Sequence, residues 1–455
     1  AAVTTLLTGA SGDEWRKIWE GDLIVSGHGN NAADINVGGG GNLILDRDGY
    51  AARNVKLNGG GVMVRLAGEN QVSGEFIFGH RGGVVDMYGH NLTLNAITHL
   101  DSGAVFANYL GNSTVTLTFT GSGEQTFLGA LRDGEAASRG LMNVVYAPGT
   151  AEGSVWNLAG HILNTGTWTV QGGEVKVAGV HTLHAGGYVD ENDWQMASFS
   201  TGTVQVNSGA RFTTGGHSLV VSAVQVDDGG TYGVLAGGDH SGNVVLSGAA
   251  SMLRAEVDSG SATESGVISG AGSLVKIGEG TLLLKNGNNS FSGTATVEEG
   301  LVRASSAGAL GQAVWSLDAA GALAVEGAGF SAIAGKLDQA SSGTFVLLED
   351  QAAISGLNGF RNLSVGALGE VNLGTSGTTE VLSGWTADGG WSLGGGGGTL
   401  TVNLKLSGSG TLSIGNGSNT GAVVLANAHN SDSEGGAAFS GAIELNGGVR
   451  LAYTD

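Results

Sequence analysis

A serine in an acidic turn, ten histidines and eight tryptophans are the residues best able to do chemistry in this chain. Val257-Asp258-Ser259-Gly260-Ser261 sets a hydroxyl between an aspartate and a glycine, and a serine hydroxyl can act as a nucleophile in acyl transfer. A serine nucleophile also needs a base and an oxyanion hole, and adjacent letters supply neither; Ser259 reads as an ordinary turn residue. His80, His90 and His99 fall near Asp86 and Asp101, and His181 and His184 are three apart. Metal binding requires such ligands to converge with a supporting second layer, and histidines in turns are the commoner outcome. Trp15, Trp19 and Trp194 read as core or coil-capping residues rather than a ligand platform. The glycines at 38–41 precede strand residues, not a helix start, so they form no phosphate-binding loop, and no calcium-binding nonapeptide occurs. A polysaccharide-cleaving site would need an acidic cluster with a basic partner on one face, and no convincing set is present. No catalytic, metal or cofactor residue is assigned.

The elements that would position these residues are short strands. Residues 78–94, FGHRGGVVDMYGHNLTL, run from a strand-like Phe-Ile-Phe through a double glycine into an alternating stretch, then through Gly-His-Asn into Leu-Thr-Leu. β-formers separated by turn residues read as consecutive strands, and this texture fills most of the 455 residues. Glycine occurs 86 times and proline once, against averages of about 7% and 5% in globular domains. Collagen is excluded by the missing proline and missing triplet period. Disorder is excluded by 41% hydrophobic and only 13% charged residues. A solenoid, with many tight turns and many short strands, fits what remains. Proline would delete a donor from a sheet paired on both sides, which accounts for Pro148 standing alone.

The formal net charge of −21 argues against nucleic acid and anionic lipid as partners. No apolar run reaches the roughly 18 residues of a membrane span. The start lacks a basic region and an apolar core, so it reads as the middle of something longer rather than a signal peptide. The absence of cysteine is what a secreted chain exported unfolded would show.

Internal similarity supports a stack. Lys17-Ile18-Trp19-Glu20-Gly21 lies over Lys276-Ile277-Gly278-Glu279-Gly280, and both continue to an Asn-Asn pair. A partial third copy, Phe439-Ser440-Gly441 to Arg450, echoes Phe291-Ser292-Gly293 to Arg303. In Thr281-Leu282-Leu283-Leu284 and Thr294-Ala295-Thr296-Val297, alternate side chains should enter a narrow core. Gly293 and Gly300 should punctuate the strands. Asn288-Asn289 should ladder amides between coils. Residues 305–400 read as coils with small side chains. The run Leu131 to Glu135 and the acidic residues 190–193 read as loops leaving the stack.

Residues 78–94 resemble the passenger stem of the serine protease autotransporters, the IgA-protease type of secreted Gram-negative protein. The pattern is kept by Phe78-Gly79-His80-Arg81-Gly82-Gly83, Tyr88-Gly89-His90 and Leu92-Thr93-Leu94, with His80 replacing an aromatic and Tyr88 an asparagine. Residues 12–21, Trp156-Asn157-Leu158, Val170-Gln171-Gly172-Gly173, His184-Ala185 and Asp193-Trp194 recur in the family's order, so the likeness covers roughly 12–235. Residues 270–303 resemble the passenger-associated transport repeat shared by many autotransporters, adhesins included.

The resemblance implies an all-β, right-handed parallel β-helix in a single elongated stack with loop excursions. Residues 1–235 would be a stem of the protease-autotransporter type, and 236–455 continued β-helix with the transport repeat and autochaperone-like terminal coils. Family enzymes carry an upstream protease domain with a Gly-Asp-Ser-Gly-Ser motif; the string at Ser259 lacks the leading glycine and lies downstream of the stem motifs. This chain is therefore expected to be non-catalytic, a scaffold for a serine protease domain outside it. The alternative is a β-helical adhesin or self-association module binding host surface or sister molecules. The implied partner is an outer-membrane translocator barrel of the same precursor, and the implied location is secreted or on the bacterial surface. At roughly 20–25 residues per coil and about 4.8 Å per coil, the stack would reach about 100 Å. Phe439 and Ile44 are both expected in its core.

Overall fold

The computed structural model describes the chain except residues 1–2, 6–8, 60, 100–102, 135–139, 179–198, 216–217, 387–388, 416–419, 448 and 454–455. The regular elements among the described residues are almost entirely β-strands, with one four-residue α-helical turn, Phe330–Ile333, and short 3-10 turns. The chain divides into two compact units. One comprises Ala1–Gly233 with Gly238–Val245, the other Val234–Gly237 with Leu246–Asp455.

The first unit is a parallel β-solenoid. One ladder stacks Leu23–His28, Asn42–Asp48, Met63–Leu66, Gly83–Asp86, Ala104–Asn108, Ala130–Asp133 and His161–Leu163 in sequence. A second stacks Glu14–Lys17, Asp34–Val37, Val55–Leu57, Phe76–Phe78 and Ile97–His99. In-register pairing puts one inward residue of each coil above the next: Leu23, Leu43, Val64, Val85, Phe106, Leu131 and Ile162 form a single buried column. Each such side chain contributes roughly 1.5–3 kcal/mol by leaving water. The column thickens into aromatics, with Phe76 and Phe78 edge-on to Phe106, and Trp156 packed between Phe119 and Trp168.

The second unit repeats the construction. Met252–Glu256, Ser273–Ile277, Thr294–Ala304 and Val314–Val325 pair in parallel. Further on, Glu370–Leu373, Thr399–Val402, Gly421–Leu425 and Val449–Tyr453 do the same. Thr281–Leu284 alternates as expected, with Leu282 and Leu284 buried. Ala295 and Val297 turn inward likewise. The described residues of 305–400 belong to this unit, with Trp315, Phe330, Phe345, Phe360, Trp385 and Trp391 buried where small side chains were expected. Gly300 sits at φ +74°, and a Cβ there would strike Gly278 O of the preceding coil; only glycine allows that approach. Pro148 lies just beyond the strand Leu141–Tyr146, outside any ladder.

Three further expectations are corrected. Leu131 to Asp133 belongs to a strand, Ala130–Asp133, with Leu131 in the core and Asp133 buried. Its charges suggested a loop, but Asp133 Oδ1 accepts from Met142 N (2.8 Å), and its Oδ2 accepts from Thr165 N (2.8 Å) and Oγ1 (2.6 Å). A satisfied carboxylate can be buried. Ile44 points outward and is half-buried, because Leu43 and Leu45 on either side take the inward positions. Phe439 is half-buried rather than core: its ring meets Trp391 of an earlier coil at 5.6 Å. Residues 190–193 lie outside the described residues.

Candidate functional site

The polar side chains that the fold buries most deeply are spent on joining coils. Lys17 and Lys276 are fully buried. Lys17 Nζ donates to Trp19 O (2.9 Å) and to Gly40 O one coil later. Lys276 Nζ donates to Ile277 O (2.9 Å), Gly278 O (2.5 Å) and, one coil later, Glu299 O (3.1 Å). In both cases the inter-coil acceptor lies 23 residues ahead. Burial pushes the Lys276 ammonium down to about 8, opposed by the nearby carboxylates of Glu299 and Asp258. Burial also lowers Lys17, opposed by Asp22.

The asparagines that follow are matched in the same way. Asn31 Oδ1 accepts from Gly9 N (2.8 Å) on the preceding coil, and Nδ2 donates to Ala51 O (2.8 Å) on the next. Asn289 Oδ1 accepts from Ile268 N (2.8 Å), and Nδ2 donates to Ala309 O (2.8 Å). The amides therefore bridge three coils through the backbone. The expected ladder of amide on amide is not what forms. Backbone groups in turns lack a strand partner, and an amide with one donor face and one acceptor face fits them. The repeated lettering of Lys17 to Asn31 and Lys276 to Asn289 was the visible signal of this device.

The stretch 78–94 is organised around Asp86. This fully buried carboxylate accepts from Arg65 Nε (2.9 Å) through Oδ2, and from Tyr88 N and Tyr109 N (3.0 Å each) through Oδ1. Arg65 lies 4.1 Å over the Tyr88 ring. Tyr88 is left-handed, at φ 43°, a conformation that asparagine adopts more readily. The bond to Asp86 and the stacked guanidinium hold it there.

Among the described residues, the candidates are not brought together into a reactive centre. Ser259 is exposed in the bend between Met252–Glu256 and Ser261–Glu264. His80 is exposed on a turn. His90 Nδ1 lies 3.7 Å from Glu69, and His99 Nε2 lies 2.8 Å from Thr126 O with its ring edge-on to Phe127. Asp86 bonds to Arg65 rather than to any of them. Asp101, His181, His184 and Trp194 lie outside the described residues. Trp15 is half-buried and Trp19 exposed; the tryptophans that fill the core are Trp156, Trp168, Trp315, Trp385 and Trp391.

Among the described residues, one His/Asp/Glu group has ligand atoms close enough to share an ion: His429, Asp432 and Glu434. His429 Nδ1 lies 3.2 Å from Asp432 and 3.5 Å from Glu434. The Lys405 ammonium sits 3.7 Å from the same aspartate and donates to Asp432 O (2.8 Å). A backbone bond from Glu434, then His429, hold the Asp432 carboxyl below its ordinary range. A cation is thus already in place, and the group reads as an ion-paired turn.

Comparison with known proteins agrees with this architecture. Residues 140–241 match the family described as the PIC/HAP1/IgA0 second beta-solenoid repeat region. The adhesion and penetration protein autotransporter of Haemophilus influenzae is 28% identical over 218 residues, 42% of this chain and 15% of that protein. The immunoglobulin A1 protease autotransporter of the same species is 36% identical over 126 residues, 26% of this chain and 7% of the relative. The serine protease SepA autotransporter of Shigella flexneri is 38% identical over 119 residues, covering 24% and 9%. The chain thus spans only a small part of these relatives' length. The crystal structure of the Haemophilus influenzae Hap adhesin superposes with a TM-score of 0.50 at 17% identity, over 99% of this chain and 56% of that one, a likeness of fold. The chain is a parallel β-solenoid related to the passengers of the IgA-protease and Hap type of serine protease autotransporter.

Proposed function

We propose that this chain is the non-catalytic β-helical stem of an autotransporter passenger, which holds a serine protease domain lying outside it away from the cell. The supporting observation is the use made of buried polar side chains: Lys17, Lys276, Asn31, Asn289 and Asp86 are all committed to joining coils. Such residues stiffen a spacer and are unavailable to substrate. Within this reading, residues 1–235 are the protease-type stem, and 236–455 continue it with the transport repeat and terminal coils that start folding. The partner is the translocator barrel of the same precursor, and the location is secreted or on the surface of a Gram-negative bacterium. The charge of −21 disfavours nucleic acid.

The test uses the whole precursor. A fluorophosphonate probe should label a fragment upstream of this chain, while the purified chain should neither take label nor hydrolyse peptides. Labelling at Ser259 overturns the reading. The second reading, a β-helical adhesin or self-association module, is favoured by the relative named for adhesion and penetration. Saturable binding of the purified chain to host cell layers, in the absence of any protease domain, would select it.

A further inference from the structure

The second unit contains an open sheet edge. Val381–Leu382 pairs in parallel with Lys405–Leu406, and among the described residues that sheet consists of these two strands. Lys405 N donates to Glu380 O (2.8 Å), with Val381 opposite Lys405. In a parallel pair, successive residues of a strand direct their N–H and C=O to opposite sides. Val381 therefore turns both groups away from Lys405–Leu406, toward the preceding coil. There the strand is missing. Gln351 N donates to Asn372 O (2.9 Å) and Gly374 N to Gln351 O (2.7 Å), after which the rungs stop. Among the described residues no backbone hydrogen bond joins 352–356 to 380–383. A cavity of about 530 Å³ opens between them instead, walled by Ile354, Leu357, Val381, Leu382 and Trp385, with Glu380 as the charged lining residue.

We propose that this gap takes an extended segment of a partner polypeptide as an inserted strand, apolar at alternate positions and carrying one lysine or arginine opposite Glu380. An unpaired edge is a template for a further strand. The insert would be continuous with the existing two-stranded sheet, satisfying Val381 on one side. Val381, 41% exposed, and the buried Leu382 and Trp385 offer apolar contact to side chains on either face. Glu380, in a chain of net charge −21, repels acidic segments and attracts a basic residue. The proposal stands independently of the stem reading.

The probe is a fluorescein-labelled peptide of residues 401–407, Thr-Val-Asn-Leu-Lys-Leu-Ser, the segment that already pairs with the far edge of Val381–Leu382 and includes a lysine. The full chain should bind it saturably. Val381→Pro removes the N–H that faces the gap while leaving the Lys405-to-Glu380 bond, a position where an edge strand tolerates proline. It should weaken binding by at least about tenfold, with an unchanged circular dichroism melt. Glu380→Lys should weaken it about fivefold, an effect lost at high salt. The Val381 amide should exchange rapidly in the free chain and slow on adding peptide. Equal binding by Val381→Pro, no saturation up to millimolar peptide, or a Val381 amide already protected in the free chain overturns the proposal. Self-association abolished by Val381→Pro would make the occupant a second copy and overturn it equally.

Discussion

The coil entered at Phe291 and the coil entered at Phe439 share their lettering but not their surroundings. Phe291 is fully buried. Its N–H reaches back to Ile268 O (3.3 Å), its carbonyl accepts from Gln312 N (2.8 Å) on the coil ahead, and its ring stands edge-on to Trp315. Phe439 has Trp391 behind it and donates locally to Asn430 O (3.0 Å). The strands that follow differ in the same sense. Thr294–Ala304 buries Ala295, Val297, Val302 and Ala304, whereas every residue of Ile443–Leu445 is exposed. In a stack each coil gains its core from its neighbours, so one sequence motif is buried to different extents in two different coils.

The largest break in this comparison should come from the two phenylalanines. Phe291→Ala should cost about 3–5 kcal/mol, and Phe439→Ala about 1–2 kcal/mol, since only part of the ring leaves water. Urea unfolding of both variants measures the difference, and equal losses would remove it. The proposal that the terminal coils start folding is tested by comparing refolding of Phe439→Ala with truncation of Leu45, which is buried, in place of the half-buried Ile44.

Next in size is Asn289→Ala. It leaves Ile268 N and Ala309 O without their partner, for about 2–4 kcal/mol. Asn31→Ala should cost a similar amount at the other copy, and amide exchange at Ile268 should accelerate in the first variant alone. A loss under about 0.5 kcal/mol would show that water replaces the amide.

Lys276 sharpens the comparison through pH. An unfolded lysine titrates near 10.5 and the buried one near 8, so between these values the unfolded chain holds more protons. Stability should rise as pH increases from 8 toward 10.5, by up to about 3 kcal/mol, and the gain is lost as pH falls through 8. Lys276→Met should flatten that slope while leaving Gly278 O and Glu299 O without a donor. An unchanged slope would place the titration elsewhere. The smallest effect belongs to Ser259→Ala, in an exposed bend, which should alter stability by less than about 0.5 kcal/mol and change no hydrolytic rate.

Local lettering carried a good deal of this protein. Alternation in Thr281–Leu284 told which leucines face inward, because side-chain direction in a strand depends on nothing beyond the strand. The abundance of glycine and near-absence of proline disclosed a chain of tight turns between sheets paired on both sides. The Lys-to-Asn repeat marked the two coils that share one set of inter-coil bonds. What lettering missed depends on a residue's partner in another coil. Asp133 is buried because Met142 and Thr165 arrive to donate to it, and a charged run alone cannot reveal that. Phe439 repeats Phe291 yet is only half-buried, with its ring against Trp391. Val381 has an open edge because the preceding coil, more than twenty residues earlier, forms no strand where the ladder would continue. Direction is a property of a few consecutive residues; burial and hydrogen-bond satisfaction are properties of what is stacked above and below them.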